Sequence, residues 1–209
     1  MRSKVLRGCL LAMLIGLVLA PTPLFATSFN LTVDHCTGGC GTPPFGTVNV
    51  TQNGANVDVT VALASGFGWA STGAGDNQLF KFNDSAIAVT AITVDQTFSG
   101  QTLARATGAF SGDGTGDFTF GIACTTCGNG NLGITSGLSF HVANTTIAQM
   151  TQGNNLGFIF VADVFSSQTG NTGPVAATGP NTTVPEPGSI FLLSGGLVLL
   201  GYARRKWAA

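Results

Sequence analysis

In "GTVNVTQNGANVDVTVAL" valines alternate with Thr, Asn and Asp on both sides of Asn53-Gly54. A two-residue turn at Asn53-Gly54 pairs Gln52 with Ala55, Val50 with Val57 and Val48 with Val59. That register puts all four valines on one face, as a half-buried hairpin requires. Similar alternation runs through Phe118, Phe120 and Ile122 in "TGDFTFGIAC" and through Leu138, Phe140 and Val142 in "GLSFHVAN". "LGFIFVADVF" is apolar on both faces over Phe158–Val161, which predicts a central strand. "AIAVTAITV" favours a strand through its β-branched residues. Gly-, Asn- and Asp-rich turns separate these segments, and no helix of ten or more residues is expected. The pattern predicts an all-β fold, an antiparallel β-sandwich with a jelly-roll as one form of it. Phe fills its core, since the chain has 15 Phe against 1 Tyr and 2 Trp.

The two ends break the alternation. Residues 1–26 run from basic (Arg2, Lys4, Arg7) through apolar "CLLAMLIGLVLA" to small residues at Ala26. That order predicts a secretory signal peptide. Cleavage is expected after Ala26, because cleavage after Ala20 would leave Pro21 at the next position. The apolar run is short for a retained anchor. Residues 27–166 then form the β-sandwich domain. Residues 167–183, within "SSQTGNTGPVAATGPNTT", are rich in Gly, Thr and Pro without charge, and are expected to be a flexible linker. Residues 184–209 form a separate terminal segment.

Charge follows the same division. Only Lys81 and Arg105 are cationic between the end segments, against eight aspartates, so residues 27–183 carry a net charge of −6. That balance gives no electrostatic footprint for nucleic acid or for anionic membrane surfaces.

Cys9 lies in the signal segment, which leaves Cys36, Cys40, Cys124 and Cys127. An exported chain meets an oxidising compartment, and an even count fits two disulfides. Of the three connectivities, the local pairs 36–40 and 124–127 are expected, because flanking glycines let each small ring close. Such short loops restrict the unfolded chain little, so each bridge should pin a loop. The rival is a zinc site made from all four thiolates. A redox CxxC would want a helix start after Cys124, where the chain reads "GNGNLG" further on. Haem attachment is disfavoured because Gly128, not His, follows Cys127.

Residues for catalysis are scarce. Residues 27–183 contain no Glu, no G-x-S-x-G and no H-E-x-x-H. His141 falls on the polar side of its strand, and His35 reads as a turn residue. Asp113 and Asp117 in "SGDGTGD" read as a hairpin turn; calcium would want a bidentate Glu that is missing. No enzymatic activity, catalytic residue, metal or cofactor is expected. Trp69, flanked by Gly66, Gly68 and Gly73, is expected on a partly exposed loop. There it would be a candidate glycan contact.

The terminal segment is the most specific feature. Val184-Pro185-Glu186-Pro187 leads into an apolar run, Gly188–Ala203, and then Arg204, Arg205 and Lys206. As a helix that run reaches roughly 24 Å, short against a hydrocarbon core of about 30 Å. The three cations extend the span by snorkelling and fix its basic end in the cytoplasm. The two prolines keep Glu186 extended just outside the membrane.

This arrangement resembles the PEP-CTERM sorting signal of bacterial exported proteins. The resemblance implies recognition of Pro185-Glu186-Pro187 by an exosortase, a membrane protease. It also implies tethering to the membrane through the C-terminal helix before sorting, and a setting of exopolysaccharide production. The segments "FGTVNVTQNG", "QLFKFN" and "GNTGPVAA" also resemble the β-rich cores joined to this signal, which bring no known activity. The expected role is a surface or extracellular-matrix protein, structural or adhesive. A carbohydrate-binding module is the alternative, and a hydrolase a more distant one.

Overall fold

The computed structural model describes residues 25–71, 76–96, 98 and 100–183. The expected signal peptide and the segment from Val184 onward, with its sorting residues, lie outside them. In chain order the first strands are β1 (Ala26–Leu31), β2 (Val33–Asp34), β3 (Gly46–Asn53), β4 (Asn56–Leu63) and β5 (Phe67–Ser71). There follow β6 (Gln78–Phe82), β7 (Ile92–Val94), β8 (Leu103–Gly112), β9 (Gly116–Cys124) and β10 (Gly130–Asn131). The last elements are β11 (Leu138–Ala143), the single-turn helix α1 (Ile147–Met150), β12 (Phe160–Ser166), β13 (Thr172–Ala177) and β14 (Thr182–Thr183).

The strands make two sheets, and the pairings described are antiparallel. The first runs β14-β1-β3-β4-β11-β7. In the second, β12 is the centre. One edge of β12 pairs with β13, and β13 with β2. The other edge pairs with β6 through Phe160–Ala162 and with β5 through Val164–Ser166. So β5 and β6 lie along the same edge of β12, on either side of Asp163. β9 and β8 continue the sheet beyond β6, and β10 continues it beyond β5.

Phenylalanines join the sheets. Phe29 of β1 meets Phe160 of β12 edge-on at 5.1 Å, and Phe140 of β11 stacks on Phe82 of β6 at 5.4 Å. Such pairs favour these offset and T-shaped arrangements. The valines of β3 and β4 fill the rest of that core: Val48, Val50, Val57, Val59 and Val61 are all buried. The expected all-β sandwich is therefore the architecture, with α1 the longest helix among the described residues.

The hairpin register differs from expectation by one turn position. The turn is Gly54-Ala55, Asn53 pairs with Asn56, and Val50 pairs with Val59. Gly54 has φ +61°, and glycine at the first central position is what a type II′ turn demands. Asn53 instead stays in the strand, where its Nδ2 donates to Asp58 Oδ2 at 3.0 Å. Gln52 fixes the turn. Its Nε2 donates to the carbonyls of Gly54, Asn56 and Thr145, and its Oε1 accepts from Ile147 N at the start of α1. The change of pairing is even, so every valine keeps its face.

Two other expectations need correction. "AIAVTAITV" is a strand only over Ile92–Val94. Asp84 Oδ1 accepts from Ala86 N and Val89–Ala91 forms a 3-10 turn, so only Ile92 of the segment is buried. Residues 167–183 are not a linker. β13 lies inside this stretch, and Val175, Ala176 and Ala177 are wholly buried against the central strand. Pro174 is tolerated because its carbonyl, and with it the missing N–H, faces β2 rather than β12; it accepts from His35 N at 3.0 Å. β14 then pairs with β1. The strands of the domain thus run from Ala26 to Thr183.

β12 is buried on both faces. Phe160, Ala162 and Val164 point between the sheets, while Val161 joins Phe118 and Ala176 in a second, smaller core on the outer side. The β8–β9 hairpin makes this possible. A bulge between Thr107 and Phe110 bends it, so Phe118 turns outward while Phe120 and Ile122 remain between the sheets. The hairpin tip reaches His35 and Asn154: a side chain at Gly114 or Gly116 would run into them.

Candidate functional site

The first site residue to place is Trp69. It is not on an exposed loop. Trp69 sits in β5 with 0% exposure, and its Nε1 donates to Ser136 O at 2.9 Å. Its backbone bonds Ile134 O through N and Leu132 N through O. Gly68 beside it is small for packing, since a Cβ there would lie 3.1 Å from Ile134 O. A buried indole cannot be a glycan platform, and the binding-module reading loses that contact. Trp69→Ala should lower the urea midpoint by an amount corresponding to about 3–5 kcal/mol, the usual cost of removing a large buried aromatic. A near-neutral change would return Trp69 to the surface.

The cysteines stand in the two local pairs. Cys36 bonds Cys40, and Cys124 bonds Cys127. Asp34 organises the first ring, its two carboxylate oxygens accepting from Cys36 N at 2.9 Å and Cys40 N at 2.7 Å. Gly39 O accepts from Thr169 Oγ1 and Asn171 Nδ2, which ties the ring to the β12–β13 connection. Asp34, Cys36 and Cys40 are close enough for a metal, but both sulfurs are consumed by the bridge and both carboxylate oxygens by backbone N–H groups. The second ring lies at the end of β9, where Thr125 N and Thr102 O bond across to the start of β8. Both bridges pin loops.

The two histidines make unrelated contacts. His141 Nδ1 bonds Asp95 Oδ1 at 2.8 Å in a half-exposed pair on the outer face of the first sheet. His35 packs edge-on against Phe158 at 5.4 Å beneath the β8–β9 tip. Asp113 lies in that tip, away from a glutamate of any kind among the described residues.

A polar cleft of about 310 Å³ opens between the end of β6, β9 and the loop after α1. The side chains around it include Asn83, Asp84, Asp117, Gln149, Gln152 and Asn155. Several are already committed to the fold. Asn83 Oδ1 accepts from Thr119 N, Asp84 Oδ2 accepts from Thr145 Oγ1, and Gln149 completes the capping box of α1 with Thr146. Asp117, Gln152 and Asn155 also line it and are exposed. Amides and carboxylates without a cation or an aromatic ring suit neutral hydroxyl groups. Sequence reading missed this cleft, because its residues come from three separated segments and none is unusual alone.

The fold also fixes where the sorting segment departs. Thr183 is the last described residue of β14 and pairs with Thr27 of β1. Thr183 thus lies on one rung with Thr27, near the start of β1, at the edge of the first sheet. No helix among the described residues is long and apolar enough to cross a membrane.

No curated protein and no solved structure matches the chain. Residues 183–206 match the PEP-CTERM protein-sorting motif. That range contains Val184, Pro185, Glu186, Pro187, Arg204, Arg205 and Lys206, and it starts on the last residue of β14. The chain thus carries a PEP-CTERM sorting motif directly after its β-sandwich in sequence, which supports export and exosortase-directed sorting.

Proposed function

We propose that this protein works at the cell surface or in the extracellular matrix as a structural or adhesive element associated with exopolysaccharide, and that it catalyses no reaction on another molecule. The observation that carries this reading is the sorting motif joined, without a spacer, to a sandwich core. The cysteine rings support it, being suited to an oxidising exterior. So does the scarcity of reactive groups. The inner-membrane tether is a stage on the way, and the sandwich is the part delivered.

A second reading keeps the carbohydrate-binding module, relocated from Trp69 to the polar cleft. Its support is the cleft's lining of amides and carboxylates, which offers paired donors and acceptors to sugar hydroxyls. Such a site would bind weakly and without aromatic stacking.

The test is fractionation of the native host. With residues 184–209 intact, the sandwich should accumulate in the surface or matrix fraction. With that segment removed, it should be released to the medium, unless polysaccharide alone retains it. Retention that is lost in a Gln152→Ala, Asn155→Ala double variant would favour the binding module. Equal accumulation in the matrix with and without the segment, in cells lacking polysaccharide, would overturn both.

A further inference from the structure

The described residues contain one lysine, Lys81, and it is completely buried. Lysine is almost never so placed unless paired. Its neighbours in "QLFKF" (Leu79, Phe80 and Phe82) are buried apolar residues. On the outer face of the second sheet, Lys81 pairs with Val161 in register, so Asp163 is its diagonal neighbour on the adjoining strand. Lys81 Nζ lies 3.5 Å from Asp163 Oδ1, and both side chains have 0% exposure. Asp76, two residues before β6, places Oδ2 3.2 Å from the same nitrogen. Asp76 is held in that pose: its Oδ1 accepts from Gln78 N at 2.9 Å, and its carbonyl accepts from Gln78 Nε2 at 2.7 Å. Thus Oδ2 is the oxygen left to face the amine.

Lys81 and Asp163 are fully buried, and the Asp76 side chain is 10% exposed. Gly112, in the hairpin that folds over this face, lies against it: a Cβ there would sit 3.6 Å from Lys81 Nζ and from Pro174 Cβ, and would collide with Thr115 Oγ1. Val161, Ala176 and Phe118 form the apolar cluster on the same face. A charge pair removed from water is expensive, and replacing it by an uncharged group of similar volume is often favourable.

We propose that Lys81 and Asp163 condense to an intramolecular isopeptide bond, with Asp76 as the acid–base group. One proton passes from the ammonium to the Asp163 carboxylate, giving a neutral amine and a neutral acid. The Nζ lone pair attacks Asp163 Cγ and forms the C–N bond. Asp76 Oδ2 takes a second proton from Nζ and delivers it to the departing oxygen. The C–O bond breaks and water leaves. The remaining N–H is then donated to Asp76. The reaction consumes one ammonium and one carboxylate, yields one amide and one water, and needs no oxidant or co-reactant. Proximity in a rigid sheet supplies the driving geometry. The bond would join strands 82 residues apart in sequence, a span that neither short cysteine ring covers.

The experiment is peptide mapping of the full chain recovered from the exported fraction, reduced, alkylated and denatured. The digest should contain one branched peptide joining the Lys81 segment to the Asp163 segment, lighter than the two parts by one water, and trypsin should fail to cut after Lys81. Asp163→Asn should lose ammonia instead and give a product of the same mass. Asp76→Asn, which keeps the side-chain volume, should leave both segments unjoined while the cysteine pairs still form. Complete trypsin cleavage after Lys81 in the wild-type chain, with both linear peptides recovered at full mass, would overturn the proposal whatever the variants do.

Discussion

A chain ending at Ser166 should fail to fold, whereas one ending at Thr183 should unfold cooperatively. The cut removes β13, and with it the fully buried Val175, Ala176 and Ala177. It also strips one whole edge from β12, the strand buried on both faces, because Phe160–Phe165 pair rung by rung with Thr172–Ala177. β2 loses its partner in the second sheet, and β1 loses β14. Burying a single Val contributes about 1.5–3 kcal/mol, and the unpaired backbone groups left in the core each cost about 1–3 kcal/mol. The sum exceeds the 5–15 kcal/mol that typically separates folded from unfolded states. Circular dichroism in increasing urea reads the result. Equal midpoints for the two chains would mean that residues 167–183 are a tether after all.

That stretch looked like a tether because composition was the available signal. Gly170, Gly173, Pro174, Gly179 and Pro180 punctuate it, and "PVAA" is too small to announce a strand. The reason for small residues is spatial. Gly173 lies where Cys36 Cα comes within 2.6 Å of the Cβ it lacks. Glycine here admits a neighbouring backbone rather than freeing its own. The same confusion placed Trp69 on a loop. Gly66 does take a positive φ of +88°, but Gly68 is a close-packing glycine under Ile134 O. Composition cannot separate these two uses, because the distinguishing partner lies far along the chain.

What alternates was legible. β3, β4 and β11 follow the apolar-in, polar-out pattern, and the run at Phe158–Val161 did mark the central strand. The cysteine pairs were legible because short spacing limits the geometry. The buried lysine left a trace as well: Lys81 interrupts "LFKF", an otherwise apolar strand, and is the lone lysine between the ends. Its partners were not legible. Asp76 and Asp163 reach it only because β5 and β6 share one edge of β12, a topology that no local pattern encodes. The polar cleft is hidden for the same reason.

Replacing Pro185 and Pro187 with Ala should stop processing while leaving the sandwich intact. The motif match begins at Thr183, the last described residue of β14, so Pro185-Glu186-Pro187 follows that strand closely in sequence. Proline enforces an extended segment: it fixes φ, removes a donor and disfavours helix in the residue before it. Alanine reverses that preference by about 3 kcal/mol per position in a helix interior. The apolar run and the Arg204, Arg205 and Lys206 cluster are untouched, so insertion and orientation should persist. Neither proline lies in a described strand, and the unfolding midpoint of the domain should not move. In the native host, the double variant should therefore accumulate in the membrane fraction with residues 188–209 still attached, while the wild-type chain loses them. An Arg204, Arg205, Lys206 triple alanine variant gives the opposite pattern, since a span already short for the bilayer loses its inner hold and leaves the membrane unprocessed. Sizing each product by its C-terminal peptide separates the two. If the double proline variant is processed at the wild-type rate, Pro185-Glu186-Pro187 is not the recognition element, and cleavage must be directed by the apolar run itself.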